Sequence, residues 1–196
     1  MVCHARPPRP PRQGTSISSS DPGDLSPQQI TKLITSAETS AEVLELACKL
    51  HAGFDRINSI AALHRTAKHL KQADRSAVLE HPGYALLLQM AAAHAPTLDA
   101  REAANGLWAL ARLPEAPPRQ LLDAMTASVQ RTLPSMNEQG LANSAWAFAR
   151  LKHTPGSQLL SALASRAADM FADGHIQVSA AKCLATLMTM YSWTVV

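Results

Sequence analysis

The chain has 196 residues and a mass of 21.0 kDa, which leaves room for one domain or one short repeat array and excludes two large enzymatic domains. Hydrophobic residues make up 46% of the chain and charged residues 17%, a balance that favours a folded core over a wholly disordered protein. The formal net charge of +3 permits contact with an anionic polymer but is far from a histone-like excess.

The first 26 residues are rich in proline, arginine and serine, and Arg6, Arg9 and Arg12 all precede the first acidic residue, Asp21. So few apolar side chains cannot build a core, and we predict a disordered leader over residues 1–26. An arginine-rich, acid-poor start is also typical of organelle transit peptides, although prolines at 7, 8, 10 and 11 prevent an amphipathic helix. The leader therefore indicates either import into a mitochondrion or chloroplast, or a flexible segment of a cytoplasmic protein.

From residue 27 onward, helix start signals recur along the chain. In each of them a capping residue is followed three residues later by a side chain that can bond back to the cap. The pairs are Ser26 with Gln29, Thr39 with Glu42, Asp99 with Glu102 and Ser135 with Glu138. The predicted helices lie near residues 27–37, 40–51, 56–71, 84–94, 100–113, 118–132, 136–151, 155–171 and 176–191, with a short turn at 75–80. Because no strand pattern competes, we predict an all-α domain over residues 27–196.

An internal repeat is the most informative feature of this domain. Residues 104–124 and 142–162 align at a shift of 38 and are identical at 12 of 21 positions. A fainter third copy follows another 38 residues on, where Leu184 takes the place of a tryptophan, and Asn58 to Leu63 echoes Asn143 to Phe148. Each unit contains two helices that cannot close a core alone. The sequence therefore predicts an α-solenoid of stacked two-helix repeats with a period of about 38 residues.

The segments "ANGLWALARL" and "LANSAWAFARL", each followed by a proline-containing turn, resemble the octotricopeptide repeat proteins of algae and protists. The earlier segment, residues 28–70, is similar to helical-repeat subunits of RNA-editing substrate-binding complexes and to Fas-activated serine/threonine kinase-like mitochondrial proteins. The resemblance covers roughly residues 28–191. It implies an α-solenoid that binds single-stranded RNA in organellar RNA processing, stability, editing or translation, together with other RNA-processing proteins.

Polar residues repeated in register are the candidate RNA-binding positions. Asn105 and Asn143 could each offer a base edge one donor and one acceptor, or could instead bond a neighbouring turn and hold the repeats in register. Arg112 and Arg150 end the same helix in both copies, where they either complement the helix dipole or form a ladder of cations for a phosphate backbone.

Two further groups extend this set. Arg65 and Lys68 lie three residues apart on a helix with a basic face, which is either solvated or in contact with phosphates. A continuous positive stripe that also includes Lys152 and Lys182 would favour RNA.

The repeated tryptophans, Trp108 and Trp146, could stack on bases. Their surroundings of alanine and leucine favour a different role, and we predict that both are buried core residues.

The motifs of the common enzyme families are absent from the sequence, and we expect no enzymatic activity, no cofactor and no small-molecule substrate. His64 and His69 are five residues apart, off one helix face, so we expect no metal site. Because no run of about 18 apolar residues exists, we expect no membrane span. The alternative to RNA binding is an armadillo- or HEAT-like scaffold that binds another protein.

Overall fold

The computed structural model describes residues 25–172, and these residues form α-helices, short 3-10 turns and connections without a strand. Most of the predicted leader, the helix predicted at 176–191 and Lys182 lie outside the described residues. Across residues 25–172, no helix has the length and apolar character that a membrane crossing needs. The α-helices of this region are α1 (Pro27–Ser36), α2 (Ser40–Leu50), α3 (Arg56–His69), α4 (Arg75–Glu80), α5 (Pro82–His94), α6 (Ala100–Arg112), α7 (Arg119–Thr132), α8 (Glu138–Leu151) and α9 (Ser157–Ala172).

Two of the predicted helix starts are reciprocal caps. Ser26 Oγ accepts from the amide of Gln29, whose side chain accepts from the Ser26 amide in return. Asp99 and Glu102 make the same exchange at the start of α6, at 2.8 and 2.9 Å. Because these bonds join residues only three apart, they depend on local sequence and not on the rest of the fold.

The prediction at Ser135 is wrong, because this residue closes a 3-10 turn, Leu133–Ser135, and α8 begins three residues later. Its cap is Asn137, whose Oδ1 accepts from the amide of Gly140 at 2.9 Å. At α2, Thr39 is the cap as predicted, but the carboxylate of Glu42 accepts from the amide of Glu38 and not from the cap.

The helices pack in two layers. In the first layer α1, α3, α6 and α8 lie side by side in that order, and in the second α2, α5 and α7 pack behind them. The two layers meet where α3 packs on α2 and α5, and where α6 packs on α7, while α9 packs on α8. Fully buried large side chains from both layers fill the space between them: Leu44, Leu63, Leu87, Leu107, Leu110, Met125, Leu141 and Phe148. Each contributes roughly 1.5–3 kcal/mol by leaving water.

The helices of the two aligned segments begin at equal intervals. From the start of α6 to that of α8 is 38 residues, and from the start of α7 to that of α9 is also 38. The interval between α3 and α6 is longer, at 44 residues. The cause is visible in the connection between α3 and α5, residues 70–81, which contains α4, whereas α6 and α7 are joined by the short connection 113–118.

Candidate functional site

A groove runs across the exposed face of α1, α3, α6 and α8. It consists of two adjoining cavities, one of about 620 Å³ over α3, α6 and α8 and one of about 470 Å³ over α1, α3 and α6. The two cavities share His64, Lys68, Arg101 and Asn105, so they form one continuous surface, which we call the groove.

Three of these helices present the same four positions on one face. The caps of α3, α6 and α8 are Asp55, Asp99 and Asn137, and the four positions follow each cap at the same offsets. Spacings of four, three and four residues bring side chains to one face of a helix. The residues are Ile57, Ala61, His64 and Lys68 on α3; Arg101, Asn105, Trp108 and Arg112 on α6; and Gln139, Asn143, Trp146 and Arg150 on α8.

On α3 the sequence pattern does not predict these four positions, because it aligns Asn58 with Asn143. In the structure Asn58 is fully buried, caps α3 reciprocally with Asp55, and donates to the Pro27 carbonyl and to Thr31 Oγ1. It therefore ties α3 to α1. The capping residue identifies the equivalent positions on the three helices, because the residues that share a face are set by their distance from the cap.

The third position on each helix holds a ring, and the rings form a continuous aromatic row. The ring centroids of His64 and Trp108 are 4.9 Å apart, and those of Trp108 and Trp146 are 6.2 Å apart. Both pairs are tilted by 36°. These separations lie within the range of favourable aromatic contacts, so the row joins three neighbouring helices through one set of ring contacts.

The prediction that both tryptophans are core residues is wrong. Trp108 and Trp146 are partly buried, pack against the edge of the core and leave part of each ring exposed. The physical reason is space, because alanines and leucines such as Ala104 and Leu107 already fill the interior. A large indole is well buried on average but seldom completely so.

The fourth position on each helix is a cation, and the cations form a row beside the rings. Lys68 and Arg112 line the groove, and Arg150 is exposed in the last turn of α8, four residues after Trp146. The Arg112 guanidinium lies over the Trp108 ring, 4.9 Å from its centroid, and its Nε donates to the Ala67 carbonyl at the end of α3. Arg112 therefore both caps a neighbouring helix and faces the groove.

The electrostatic environment of the groove is positive. Within the described residues Lys68, Arg101 and Arg150 have no acidic partner. Partial burial lowers the pKa of His64, and the charges of Lys68, Arg65, Arg101 and Arg112 lower that pKa further. Burial is the larger cause, and the cations that add to it come from two neighbouring helices, α3 and α6.

Acidic side chains lie at the other end of the groove, where the helices start. Arg56 forms ion pairs there with Glu102 and, at 3.8 Å, with Asp99. These pairs link the first turns of α3 and α6. Of the cations without an acidic partner in the described region, Lys68 and Arg150 lie toward the carboxyl ends of their helices, whereas Arg101 lies in the first turn of α6, near these acids.

The two repeated asparagines lie beside the aromatic row and line the groove. Asn143 Oδ1 accepts from Gln139 Nε2 at 2.9 Å. In the described part of the chain, the amide of Asn105 has no hydrogen-bond partner. Neither asparagine bonds a neighbouring turn, so the structural role considered for them belongs instead to Asn58.

Two of the predicted cations lie outside the four repeated positions, although Arg65 lines the smaller cavity of the groove. Arg65 donates through Nε and Nη2 to the carbonyl of Ala37, and through Nη2 also to that of Thr35, so it caps the end of α1. Lys152 is exposed and caps α8 in the left-handed conformation, with φ 52°. It lies beyond the last turn of α8 and outside the four repeated positions.

No cluster of three or more metal-ligating side chains occurs within residues 25–172. Arg101 and Gln139 are functional candidates that the sequence pattern does not reveal, because a polar residue in the first turn of a helix is common and carries no signal without the cap as reference.

No family model matches the chain, and no curated protein matches it.

Proposed function

We propose that the protein binds single-stranded RNA along the groove. The observation that carries this proposal is the aromatic row of His64, Trp108 and Trp146 beside the cation row of Lys68, Arg112 and Arg150. Proteins that hold single strands combine aromatic faces for the bases with a positive track for the backbone.

Stacking supplies one part of the binding energy. Each base that rests on an exposed ring contributes about 1–3 kcal/mol, and the partly exposed side chains of Trp108 and Trp146 are suited to this role. The Arg112 guanidinium covers part of one face of the Trp108 ring, and it brings a phosphate-binding group next to the base site.

Charge supplies the other part. Lys68 and Arg150 have no acidic partner within the described residues, so a phosphate would not have to displace one. The row has one cation on each of α3, α6 and α8, which lie side by side in that order. An RNA strand laid across the three helices would therefore pass each cation in turn.

The proposed repeat architecture and organellar role rest mainly on the sequence. The shared spacing of α6 with α8 and of α7 with α9 supports an α-solenoid with a 38-residue period. The resemblance to octotricopeptide repeat proteins and the arginine-rich composition of residues 1–26 support a role in the RNA metabolism of a mitochondrion or chloroplast.

The test is the salt dependence of RNA binding by the full chain. Fluorescence anisotropy with a labelled single-stranded 12-mer should show an affinity that falls as salt rises. The double variant Lys68→Gln with Arg150→Gln removes two exposed cations of the cation row. Since each neutralised phosphate contributes about 0.7 to the slope of log K against log salt, the slope should become shallower by about 1.4.

A matched control removes the same charge from the opposite side of the molecule. Lys49 and Arg119 are exposed and sit in i, i+4 ion pairs on α2 and α7. Lys49→Gln with Arg119→Gln should leave the slope unchanged. Equal effects from both doubles would mean that only net charge matters, and a folded chain without salt-dependent binding would favour the protein-binding scaffold instead.

A further inference from the structure

We infer that the groove distinguishes bases through two side-chain pairs at equivalent places, with guanine preferred over Arg101 and Asn105 on α6, and adenine over Gln139 and Asn143 on α8. This inference rests on the proposed RNA binding and adds the identity of the bases. It starts from a difference between two otherwise similar units: the first of the four repeated positions is arginine on α6 and glutamine on α8.

The α8 pair has a fixed pattern of donors and acceptors. Gln139 Nε2 donates to Asn143 Oδ1 at 2.9 Å, so each side chain has used one of its two polar ends. The two polar atoms that this bond leaves wholly open are the Asn143 amide nitrogen, a donor, and Gln139 Oε1, an acceptor, while Gln139 Nε2 keeps one hydrogen and Asn143 Oδ1 one lone pair. Adenine offers the complement on its exposed edge, with N7 as an acceptor and N6 as a donor. Guanine would place its O6 acceptor against Gln139 Oε1.

The α6 pair has a different pattern. Arg101 offers only donors, and within residues 25–172 neither it nor the Asn105 amide has a hydrogen-bond partner. Guanine carries two acceptors, O6 and N7, on the edge that arginine contacts in a bidentate manner. Adenine would place its N6 donor against the guanidinium. Both residues line the shared part of the groove, next to the Trp108 ring on which the base would rest.

Helix α3 provides a contrast to α6 and α8. On α3 the same two positions are Ile57 and Ala61, whose side chains have no hydrogen-bonding group. A base beside His64 could therefore stack without being identified. The groove accordingly has base-specific positions on α8 and α6, followed by a position on α3 that accepts any base.

The experiment exchanges the first residue of the α6 pair with the first residue of the α8 pair. The probes are 12-mers of uridine with GA, AG, AA or GG at the centre, measured by anisotropy at one salt concentration. The parent protein should prefer one order of the mixed dinucleotide, GA or AG, by roughly tenfold over AA and GG. The double variant Arg101→Gln with Gln139→Arg keeps the net charge and should prefer the opposite order. Both residues are exposed, and an unchanged circular dichroism spectrum and melting temperature confirm the fold.

The single variant Arg101→Gln gives a second, independent readout. It makes the α6 pair a copy of the α8 pair, so AA should become the best probe, although overall affinity falls with the lost charge. Because the readout is a ratio between probes, a purely electrostatic role of Arg101 would not change it. If all four probes bind equally to the parent, the inference is wrong and the proposed function stands. If none of them binds, both fail.

Discussion

The outer helices and the groove use their positive side chains in opposite ways. On α2 and α7, Lys49 and Arg119 lie 3.4 and 3.2 Å from carboxylates one turn away. On α4 and α7, Arg75 and Arg131 donate to the carbonyls of Pro114 and Leu98 at 2.7 and 2.8 Å. Lys49 and Arg119 are therefore paired within their own helices, whereas Arg75 and Arg131 join a helix to a connection.

In the groove the balance is different. Arg112 still bonds a carbonyl, but Lys68 and Arg101 in the groove, and Arg150 on α8 outside its lining, have neither an acid nor a carbonyl partner in the described region. Side-chain cations that do not stabilise the fold are free to bind something else. The lesson is that net charge says little about function in this protein, whereas the partner of each charge says much more.

The largest effect is expected where the outer helices approach most closely. A Cβ added at Gly83, at the start of α5, would lie 2.4 Å from the backbone oxygen of Leu44 on α2, and backbone cannot move aside easily. Gly83→Ala should therefore lower the free energy of unfolding by about 3 kcal/mol, measured by urea denaturation.

Gly140, in the groove layer, is the matched control for that change. A Cβ there would meet its nearest neighbours at ordinary contact distances of 3.4–3.7 Å. Gly140→Ala should leave the free energy of unfolding within about 1 kcal/mol of the parent, since alanine also favours the helix. Equal losses from both substitutions would contradict the close packing of α2 on α5.

The next prediction separates an effect on RNA binding from an effect on stability by comparing two aromatic side chains. Trp108→Ala removes a partly exposed ring from the centre of the aromatic row, so RNA affinity should fall by about 2 kcal/mol, or roughly 30-fold, in the anisotropy assay. Phe148→Ala removes a ring that is only 1% exposed and should instead destabilise the fold by about 3–5 kcal/mol. If Trp108→Ala unfolded the protein without a specific loss of affinity, the ring would be structural.

The smallest expected effect concerns pH. Burial, and then the nearby cations, lower the pKa of His64 below its usual value of about 6.5. The unfolded chain therefore takes up the proton more readily, and stability should fall as the pH drops from 6.5 until it passes the lowered pKa. His64→Gln should make this fall shallower in melting curves recorded between pH 7 and 5.

Other histidines set the background for that measurement. Burial also lowers the pKa of His69 and His153, so the variant removes only part of the dependence. His51→Gln, at an exposed residue after α2, is the control for removing a histidine that lies outside the groove. An unchanged curve for His64→Gln would show that the groove does not penalise the charged imidazole.

The sequence was most informative where structure depends on nearby residues. The caps at Ser26 and Asp99 were predictable because the bonding atoms lie three residues apart. The short helix Arg75–Glu80 fell where a turn was predicted, but its effect on the spacing between α3 and α6 was not foreseen. Ser135 failed as a cap because a 3-10 turn ended there, a competition that pattern alone does not decide.

The candidate site was harder to predict because it is built from three helices that meet only in the folded chain. The repeat identified Asn105 and Arg112 together with their counterparts, but it gave no information about α3, whose spacing is different. It also favoured burial of Trp108, since the pattern of alanines around an indole is the same in a core and at its edge. Whether a cation such as Arg65 is engaged by carbonyls of another helix depends on tertiary packing alone.

The four repeated positions also have a consequence for how such a surface can change over generations. Ring, cation and amide are all carried by one helix and are set by one cap, as on α6 with Asp99. A gene duplication that copies a single unit would thus add a complete set of these positions to the proposed binding surface, already in phase with its neighbours. Point substitutions at the first position, such as arginine in one copy and glutamine in the next, could then alter what each element recognises without touching the packing that holds it in place.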